Sequence, residues 1–281
     1  MATETTVIRI TKQLVKKALP LRDRGAHKGD FGRVLIIGGS EDYAGAPIMA
    51  ALGIAALRGG ADLVTLSCPS KVSWAANALI PDLITVKLSG KVIGPTHLDR
   101  LRRLAARSDV ILIGPGMGRH PGGSRVVSAL LRLPKRKVVD ADAIKLARLQ
   151  DARETLFTPH LKEYALLLER SGLSRQDIPR KLGTNTILLK GKEDSILSLT
   201  EQATCRGGSP GMTKGGTGDV LAGLCAGLLA SNDSCSLFHA ACAASYLNKR
   251  AGEMLENTRG QGMLASELPA MVARIIKKEF S

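Results

Sequence analysis

The stretch Lys214-Gly215-Gly216-Thr217-Gly218-Asp219-Val220-Leu221-Ala222-Gly223 joins a glycine-rich loop to the start of an apolar run. Three glycines within four residues leave backbone N–H groups unobstructed and permit positive φ angles. The small apolar residues at 220–230 predict a buried helix that begins where the loop ends. Because the start of a helix concentrates unpaired N–H donors and roughly half a positive charge, this end suits a phosphate group or a developing oxyanion.

Asp219 stands at the predicted start of that helix and is open to two interpretations. As a catalytic base, its carboxylate would accept a proton from a hydroxyl group lying beside the phosphate. As a structural residue, it would only cap the helix, and the glycines would only form a turn. The stretch alone does not separate the two.

Composition excludes several classes of protein. The 281-residue chain is 44% hydrophobic and 23% charged, which is ordinary for a globular protein. No apolar run approaches the roughly 18 residues that span a bilayer. The polar, basic start of the chain lacks a signal-peptide core, so we expect a cytoplasmic protein without a membrane partner. The five cysteines include no C-x-x-C pair, which argues against a disulfide framework or a zinc site.

The formal net charge of +15 raises the question of nucleic-acid binding. The basic residues are scattered, and an aromatic content of 3% leaves little surface for stacking bases. An anionic small-molecule substrate, or a proteome that is basic throughout, therefore explains the charge better than a nucleic acid does.

The order of elements predicts an α/β fold. From Arg33 onward, short β-branched runs alternate with helix-length segments, which is typical of a parallel sheet covered by helices. Two later runs, 186–190 and 195–199, are joined by the turn 191–194 and predict an antiparallel edge. Since no linker divides the chain, we expect an N-terminal arm or outer helix over 1–26 and a single domain over 27–281.

Polar and glycine-rich loops follow most of the predicted strands. In such sheets ligands bind beyond the carboxyl ends of the strands, so these loops should converge on one site. Each has a plain alternative: Asp140 and Asp142 would cap a helix, His160 would belong to a turn, and Lys190 would reach solvent. The loop at 114–118 lacks the G-x-G-x-x-G spacing, and no P-loop motif occurs, so the loop at Gly215 is the remaining candidate for a nucleotide phosphate.

A set of motifs in fixed order resembles one known family. The motifs are HKGDFGRVLIIGGS at 27–40, GPGMG at 114–118, DADA at 140–143, TPH at 158–160, LKG at 189–191 and GGTGDVLAG at 215–223. They are similar to those of the ADP/ATP-dependent NAD(P)H-hydrate dehydratases, a family of the ribokinase-like superfamily. The resemblance extends from about His27 to Leu268, and the motifs HKGDFG and TPH are its most specific parts.

The resemblance implies a ribokinase-like, three-layer α/β/α fold and a cofactor-repair reaction. NADH and NADPH slowly gain water at the nicotinamide ring, and the family removes it from the S epimer. A nucleotide, with ADP favoured over ATP and Mg²⁺ present, would phosphorylate the C6 hydroxyl and so turn it into a good leaving group. The resemblance also implies a homo-oligomer, such as a tetramer. A separate epimerase would act upstream, because only about 26 residues precede the first motif.

The resemblance also assigns roles to particular residues. Asp219 would be the base and would contact the hydrate, and Gly218 would donate its N–H to a nucleotide phosphate. The residues bordering the nucleoside would be Lys190, Gly191, Lys192, Glu193 and Asp194. Those lining the hydrate site, besides Asp219, would be Ala46, Gly118 and His160. The metal ligands stay unassigned. One departure concerns Leu161, since the family more often has proline after the histidine.

Two other classes of function stay open at this point. A ribokinase-like kinase of a vitamin precursor would share the glycine loop and the aspartate base but would form a stable phosphoester. A non-catalytic nucleotide-binding or nucleic-acid-binding protein would draw on the positive charge. The opening motif HKGD argues for the dehydratase.

Overall fold

The fold is taken from a computed structural model that describes residues 7–19, 25, 27, 31–55 and 61–280. The motif residues 28–30 and the end of the helix predicted over 47–58 lie outside these ranges. The elements along the described chain are β1 (Val7–Arg9), α1 (Lys12–Ala18), β2 (Arg33–Ile37), α2 (Gly45–Ala55), β3 (Leu63–Pro69), α3 (Ser70–Leu79), β4 (Ile84–Leu88), α4 (Leu98–Ala106), β5 (Val110–Ile113), α5 (Gly123–Leu131), β6 (Arg136–Val139), α6 (Asp142–Leu146), β7 (Thr155–Phe157), α7 (Leu161–Ser171), α8 (Ile178–Lys181), β8 (Thr186–Leu189), β9 (Glu193–Leu197), β10 (Gln202–Arg206), α9 (Thr217–Ser231), α10 (Leu237–Arg259) and α11 (Leu268–Glu279).

The ten strands of the described chain form one sheet in the order β1-β10-β9-β8-β7-β6-β5-β2-β3-β4. Only β9 runs antiparallel to its neighbours, β8 and β10. The short turn between β8 and β9 permits this reversal, whereas parallel neighbours need a longer crossover. The prediction of a mostly parallel sheet with antiparallel pairing towards one edge is confirmed.

Helices cover both faces of the sheet, so the molecule has three layers. Along β2, Val34 and Ile36 pack into a core with α2, α9 and α10, whereas Leu35 and Ile37 pack into a core with α4, α5 and α7. This alternation follows from the two-residue period of a strand, and both faces are apolar because both are covered. The predicted α/β/α architecture is therefore confirmed.

Helix α9 lies in the centre of one helical layer, and its sequence explains why. It is apolar on all sides, and nearly every residue from Val220 to Ser231 is buried. A Cβ atom on Gly223 would lie 2.1 Å from the carbonyl oxygen of Ala50, so glycine allows the backbones of α2 and α9 to touch. The helix begins at Thr217, three residues before the predicted start at 220, which places Gly218 and Asp219 in its first turn.

The start of the described chain adds to the same sheet. Strand β1 pairs parallel with β10, and α1, which the pattern at 11–19 predicts, packs against α10. The division into an arm over 1–26 and a domain over 27–281 stays a prediction. Among the helices of the described chain, none is long and apolar enough to cross a membrane.

Candidate active site

The first turn of α9 presents a carboxylate with an unusual pKa. Gly216 precedes the helix with a φ angle of 94°, a left-handed conformation that glycine adopts without strain. Asp219 is half-buried in this turn. Burial and the nearby Asp140 carboxylate raise the pKa of its carboxyl group, the Lys190 ammonium opposes them, and the net result is a pKa of about 7. A carboxyl group with a pKa near neutrality is suited to general base catalysis.

A buried pair of charges lies next to this turn. Lys190 Nζ donates to Asp140 Oδ1 at 2.8 Å, and Thr158 Oγ1 donates to the same oxygen at 2.7 Å. Burial alone would lower the pKa of Lys190, but the carboxylates of Asp140, Glu163 and Asp219 outweigh it and raise that pKa, so the ammonium stays charged. The structure thus brings together residues that follow β6, β7 and β8, as predicted for converging loops.

Gly218 and Lys190 are neighbours across this site. A Cβ atom on residue 218 would lie 3.2 Å from Lys190 Nζ, so the lysine head group rests on the first turn of α9. The backbone of Lys190 is fixed independently, because its N–H donates to the carbonyl of Pro159 at 2.8 Å. The alternative that Lys190 only reaches solvent is therefore wrong.

His160 caps helix α7 with one side of its ring. Nδ1 accepts hydrogen bonds from the backbone N–H groups of Lys162, at 3.1 Å, and Glu163, at 3.3 Å. Glu163 reciprocates, because its Oε2 accepts from the His160 N–H at 3.1 Å. In the neutral ring the proton must then be on Nε2, which lies 3.5 Å from Glu163 Oε1; the side chain is 51% exposed, so this donor can also meet a ligand. Leu161, where the family more often has proline, begins α7 and leaves this cap intact.

Glu163 also connects His160 to the loop that contains Gly118. Lys145 Nζ lies 2.9 Å from Asp142 Oδ1 and 3.9 Å from Glu163 Oε1. Asp142 Oδ2 in turn accepts a hydrogen bond from the Gly118 N–H at 2.9 Å. Burial raises the pKa of Glu163, against the opposing effect of the Lys190 ammonium. This sequence of contacts brings His160 and Gly118, two of the predicted hydrate-site residues, into one cluster.

Ala46 lies one step further along the same edge of the sheet. It is in the first turn of α2, and a Cβ atom on Gly116 would lie 3.1 Å from the Ala46 Cβ. Ser40 lies beside Gly118, since a Cβ atom on Gly118 would be 3.6 Å from Ser40 Oγ. Ala46 thus borders the loop that carries Gly118.

The predicted nucleoside-binding segment, residues 190–194, comprises the turn after β8 and the first two residues of β9, and it contacts a lysine that the sequence did not single out. Lys249 Nζ donates to the carbonyls of Gly191, at 3.0 Å, and Lys192, at 3.2 Å. It also lies 3.3 Å from Asp194 Oδ1.

The remaining contacts of the turn separate its residues into two groups. Asp194 is buried and accepts hydrogen bonds from the Gly191 N–H, at 2.9 Å, and from Ser245 Oγ, at 2.7 Å. Lys192 and Glu193 are exposed, and Glu193 pairs with Arg206. The structure therefore separates Lys190, which faces α9, from Asp194, which stabilises the turn.

The carboxylates of the described residues do not form a metal cage. No group of three His, Cys, Asp or Glu side chains in that part of the chain is placed to hold a metal ion. Mg²⁺ commonly binds to one or two carboxylates and otherwise to substrate phosphates and water. A Mg²⁺ ion that arrives with a nucleotide would not need such a group.

Comparison with known proteins supports the resemblance seen in the motifs. A family model described as NAD(P)H-hydrate dehydratase matches residues 34–274. The chain is 38% identical over 278 residues to a bifunctional NAD(P)H-hydrate repair enzyme of Methanothermobacter thermautotrophicus, covering 93% of this chain and 53% of that protein. It is 34% identical over 285 residues to an ADP-dependent (S)-NAD(P)H-hydrate dehydratase of Cenarchaeum symbiosum, covering 94% of each.

Solved structures show the same fold. A ribokinase-like superfamily protein of Enterococcus faecalis superposes with a TM-score of 0.83 at 27% identity, covering 97% of this chain and 96% of the other. The ADP/ATP-dependent NAD(P)H-hydrate dehydratase of Bacillus subtilis superposes with a TM-score of 0.81 at 24% identity, covering 97% and 99%. The chain spans about half the length, 53%, of the first curated relatives that it matches. With the family model matching residues 34–274 of 281, the chain belongs to the NAD(P)H-hydrate dehydratase family.

Proposed function

We propose that the protein is a nucleotide-dependent dehydratase that removes water from the S epimer of hydrated NADH or NADPH. The observation that carries the proposal is the position of Asp219. Its carboxyl group, with a pKa of about 7, stands in the first turn of α9 beside a lysine ammonium. Gly118 and His160 lie at the same edge of the sheet, where a hydrated nicotinamide ring would bind. Membership of the dehydratase family supports the choice of substrate.

The first step transfers a phosphoryl group to the substrate. Asp219 accepts the proton of the C6 hydroxyl, and the hydroxyl oxygen forms a bond to the terminal phosphorus of ADP. The bond between that phosphorus and the bridging oxygen breaks, and AMP leaves with the electron pair. Such a transfer needs mainly alignment and charge stabilisation, which the Gly218 N–H and the start of α9 supply. Mg²⁺, when bound, neutralises charge on the phosphates.

The second step restores the reduced cofactor. The ring nitrogen donates its electron pair, the C6–O bond breaks, and inorganic phosphate leaves. Loss of a proton from C5 then forms the double bond of the dihydropyridine. The products are NADH or NADPH, AMP and phosphate. Phosphate leaves far more readily than hydroxide, so the initial phosphorylation makes the elimination possible.

ADP is the proposed donor, although the family includes both nucleotides. The relative of Cenarchaeum symbiosum is described as ADP-dependent and is 34% identical to this chain. A Drosophila melanogaster relative described as ATP-dependent is 31% identical over 283 residues, covering 95% of this chain and 93% of that protein. A homo-oligomer, an upstream epimerase and a cytoplasmic location also stay proposals.

The test is an assay with hydrated NADH or NADPH, Mg²⁺ and either ADP or ATP. We expect the absorbance of the dihydronicotinamide ring to recover, with one inorganic phosphate released for each cofactor restored. A stable phosphoester in place of free phosphate would instead identify a small-molecule kinase. The absence of turnover with both donors, in protein shown to be folded, would refute the proposal.

A further inference from the structure

Lys190 is separated by its geometry from the other residues of its turn. It follows β8, and its backbone N–H is bound to the Pro159 carbonyl at 2.8 Å. The next residues, 191–194, turn towards Lys249, which binds the carbonyls of Gly191 and Lys192. The Lys190 side chain goes the other way and reaches the first turn of α9.

The ammonium group of Lys190 is held in place by one buried carboxylate. Asp140 Oδ1 lies 2.8 Å from Nζ, and Asp140 is only 2% exposed, so it cannot itself reach a substrate. Within the described residues, Nζ has no other hydrogen-bond acceptor, although an ammonium group has three N–H donors. The side chain is 20% exposed, which leaves part of it accessible to a ligand.

Lys190 Nζ lies where the transferred phosphoryl group of the proposed reaction would bind. It lies against Gly218, whose N–H points from the first turn of α9, and the Asp219 carboxylate is in the same turn. Consider a substrate hydroxyl that is hydrogen-bonded to Asp219 and attacks a phosphoryl group. That anionic phosphoryl group would contact both the N-terminus of α9 and the Lys190 ammonium. We infer that Lys190 contacts the terminal phosphoryl group during its transfer, as a catalytic residue, and that Asp140 is the positioning residue that aims it. This inference rests on the proposed function.

The ammonium also has a second effect, which follows from the charges around Asp219. The groups that act on the pKa of Asp219 are the carboxylates of Asp140, Asp142 and Glu163, which raise it, and Lys190, which lowers it. Removal of the Lys190 charge should make Asp219 harder to deprotonate. The acidic limb of the rate profile should then move to higher pH.

The test compares Lys190→Met with wild type in binding and in turnover. Binding of AMP and of ADP is measured by calorimetry, which does not depend on turnover. If Lys190 contacts the terminal phosphoryl group, AMP affinity should change less than about twofold and ADP affinity should fall by about 10- to 100-fold, near the cost of one charged hydrogen bond. The turnover number should fall by about 10²- to 10³-fold, as for loss of one group that stabilises transition-state charge.

Two further variants keep the result interpretable. Lys190→Met leaves Asp140 buried without its cation, so the double variant Lys190→Met with Asp140→Asn restores a neutral pair; it should fold as wild type and stay slow. Lys181→Met removes an exposed lysine on α8 and should behave as wild type.

Three outcomes would overturn the inference. Equal weakening of AMP and ADP would place Lys190 at the nucleoside or the inner phosphate. Unchanged ADP affinity in folded Lys190→Met would show that Lys190 does not contact the terminal phosphoryl group, and this result does not depend on whether the wild-type protein is active. Full turnover by Lys190→Met would show that the residue is not catalytic. The wild-type protein could fail to convert the hydrate to NADH or NADPH while Lys190→Met still weakens ADP binding more than AMP binding. The proposed function would then fail, and the phosphoryl contact would stand.

Discussion

Two lysine–aspartate pairs stand at opposite ends of one turn, and they differ in what surrounds them. Lys190 and Asp140 lie at the start of α9, where the lysine is 20% exposed and binds a single carboxylate oxygen. Lys249 and Asp194 lie below the turn, where the two side chains are 9% and 7% exposed. Lys249 also binds backbone carbonyls, among them those of Gly191 and Lys192.

The difference shows how to distinguish a structural ion pair from a catalytic one. The N–H donors of the Lys249 ammonium are bound to acceptors of the protein, so its role is to stabilise the turn. Lys190 keeps donors for a ligand and stands beside a carboxyl group with a raised pKa. Both pairs consist of a lysine and an aspartate, so residue type does not distinguish them. The role depends on the exposure of the lysine and on whether it has hydrogen-bond donors available for a ligand.

The largest effect on stability should come from Lys249→Met. Removal of one partner from a buried ion pair leaves the Asp194 charge uncompensated and typically costs about 3–5 kcal/mol. We expect that loss in the free energy of unfolding, measured by chemical denaturation, with Lys181→Met unchanged. Addition of Asp194→Asn should recover part of the loss. A loss below about 1 kcal/mol for Lys249→Met would contradict the structural role.

A smaller effect, on activity, should follow from Gly218→Ala. The new Cβ would lie 3.2 Å from Lys190 Nζ, and a flexible ammonium can move aside, so the protein should fold normally. Displacement of the cation by about an ångström should lower the turnover number by about 10- to 100-fold. Gly94→Ala is the matched control, because nothing lies within 4 Å of its Cβ position. Wild-type turnover by Gly218→Ala would show that the position of Lys190 does not matter.

The smallest expected effect comes from variants of His160 that distinguish the roles of its two ring nitrogens. In His160→Asn the side-chain oxygen can replace Nδ1 as the cap of α7, so stability should be kept while the Nε2 donor is lost. In His160→Gln the amide can replace Nε2 but not the cap, at a cost of about 1 kcal/mol in unfolding free energy. We expect a raised KM for the hydrate in the asparagine variant and a lower Tm in the glutamine variant. The reverse pattern would refute the assigned tautomer.

Most of the fold could be predicted from the sequence, because strands covered on both faces are short apolar runs between glycines and polar loops. Strand β10 was missed because Gln202–Arg206 lacks a continuous apolar run, although its polar and apolar residues alternate as in a strand. The start of helix α9 was predicted too late because Thr217 and Gly218 are poor helix formers. In the structure, tertiary packing overrides that propensity, and the helix begins at Thr217.

The pairings in the site could be predicted only in part. The rule that loops meet at the carboxyl ends of strands correctly brings Asp140, His160 and Lys190 to one edge. It does not say which side chains touch. Asp140 and Lys190 are 50 residues apart, and their contact depends on the register of β6, β7 and β8. Lys249 was missed because the helix predicted over 234–248 ends one residue before it, whereas α10 continues to Arg259.

The role of Asp219 as the base can be tested by the pH dependence of turnover. A base must be deprotonated, so kcat/KM for the hydrate should fall about tenfold for each pH unit below the Asp219 pKa, which is about 7. Asp219→Asn should bind ADP as wild type does, turn over about 10²- to 10⁴-fold more slowly, and lack that acidic limb. Phosphate release by folded Asp219→Asn at the wild-type rate, or with the same acidic limb, would contradict the account.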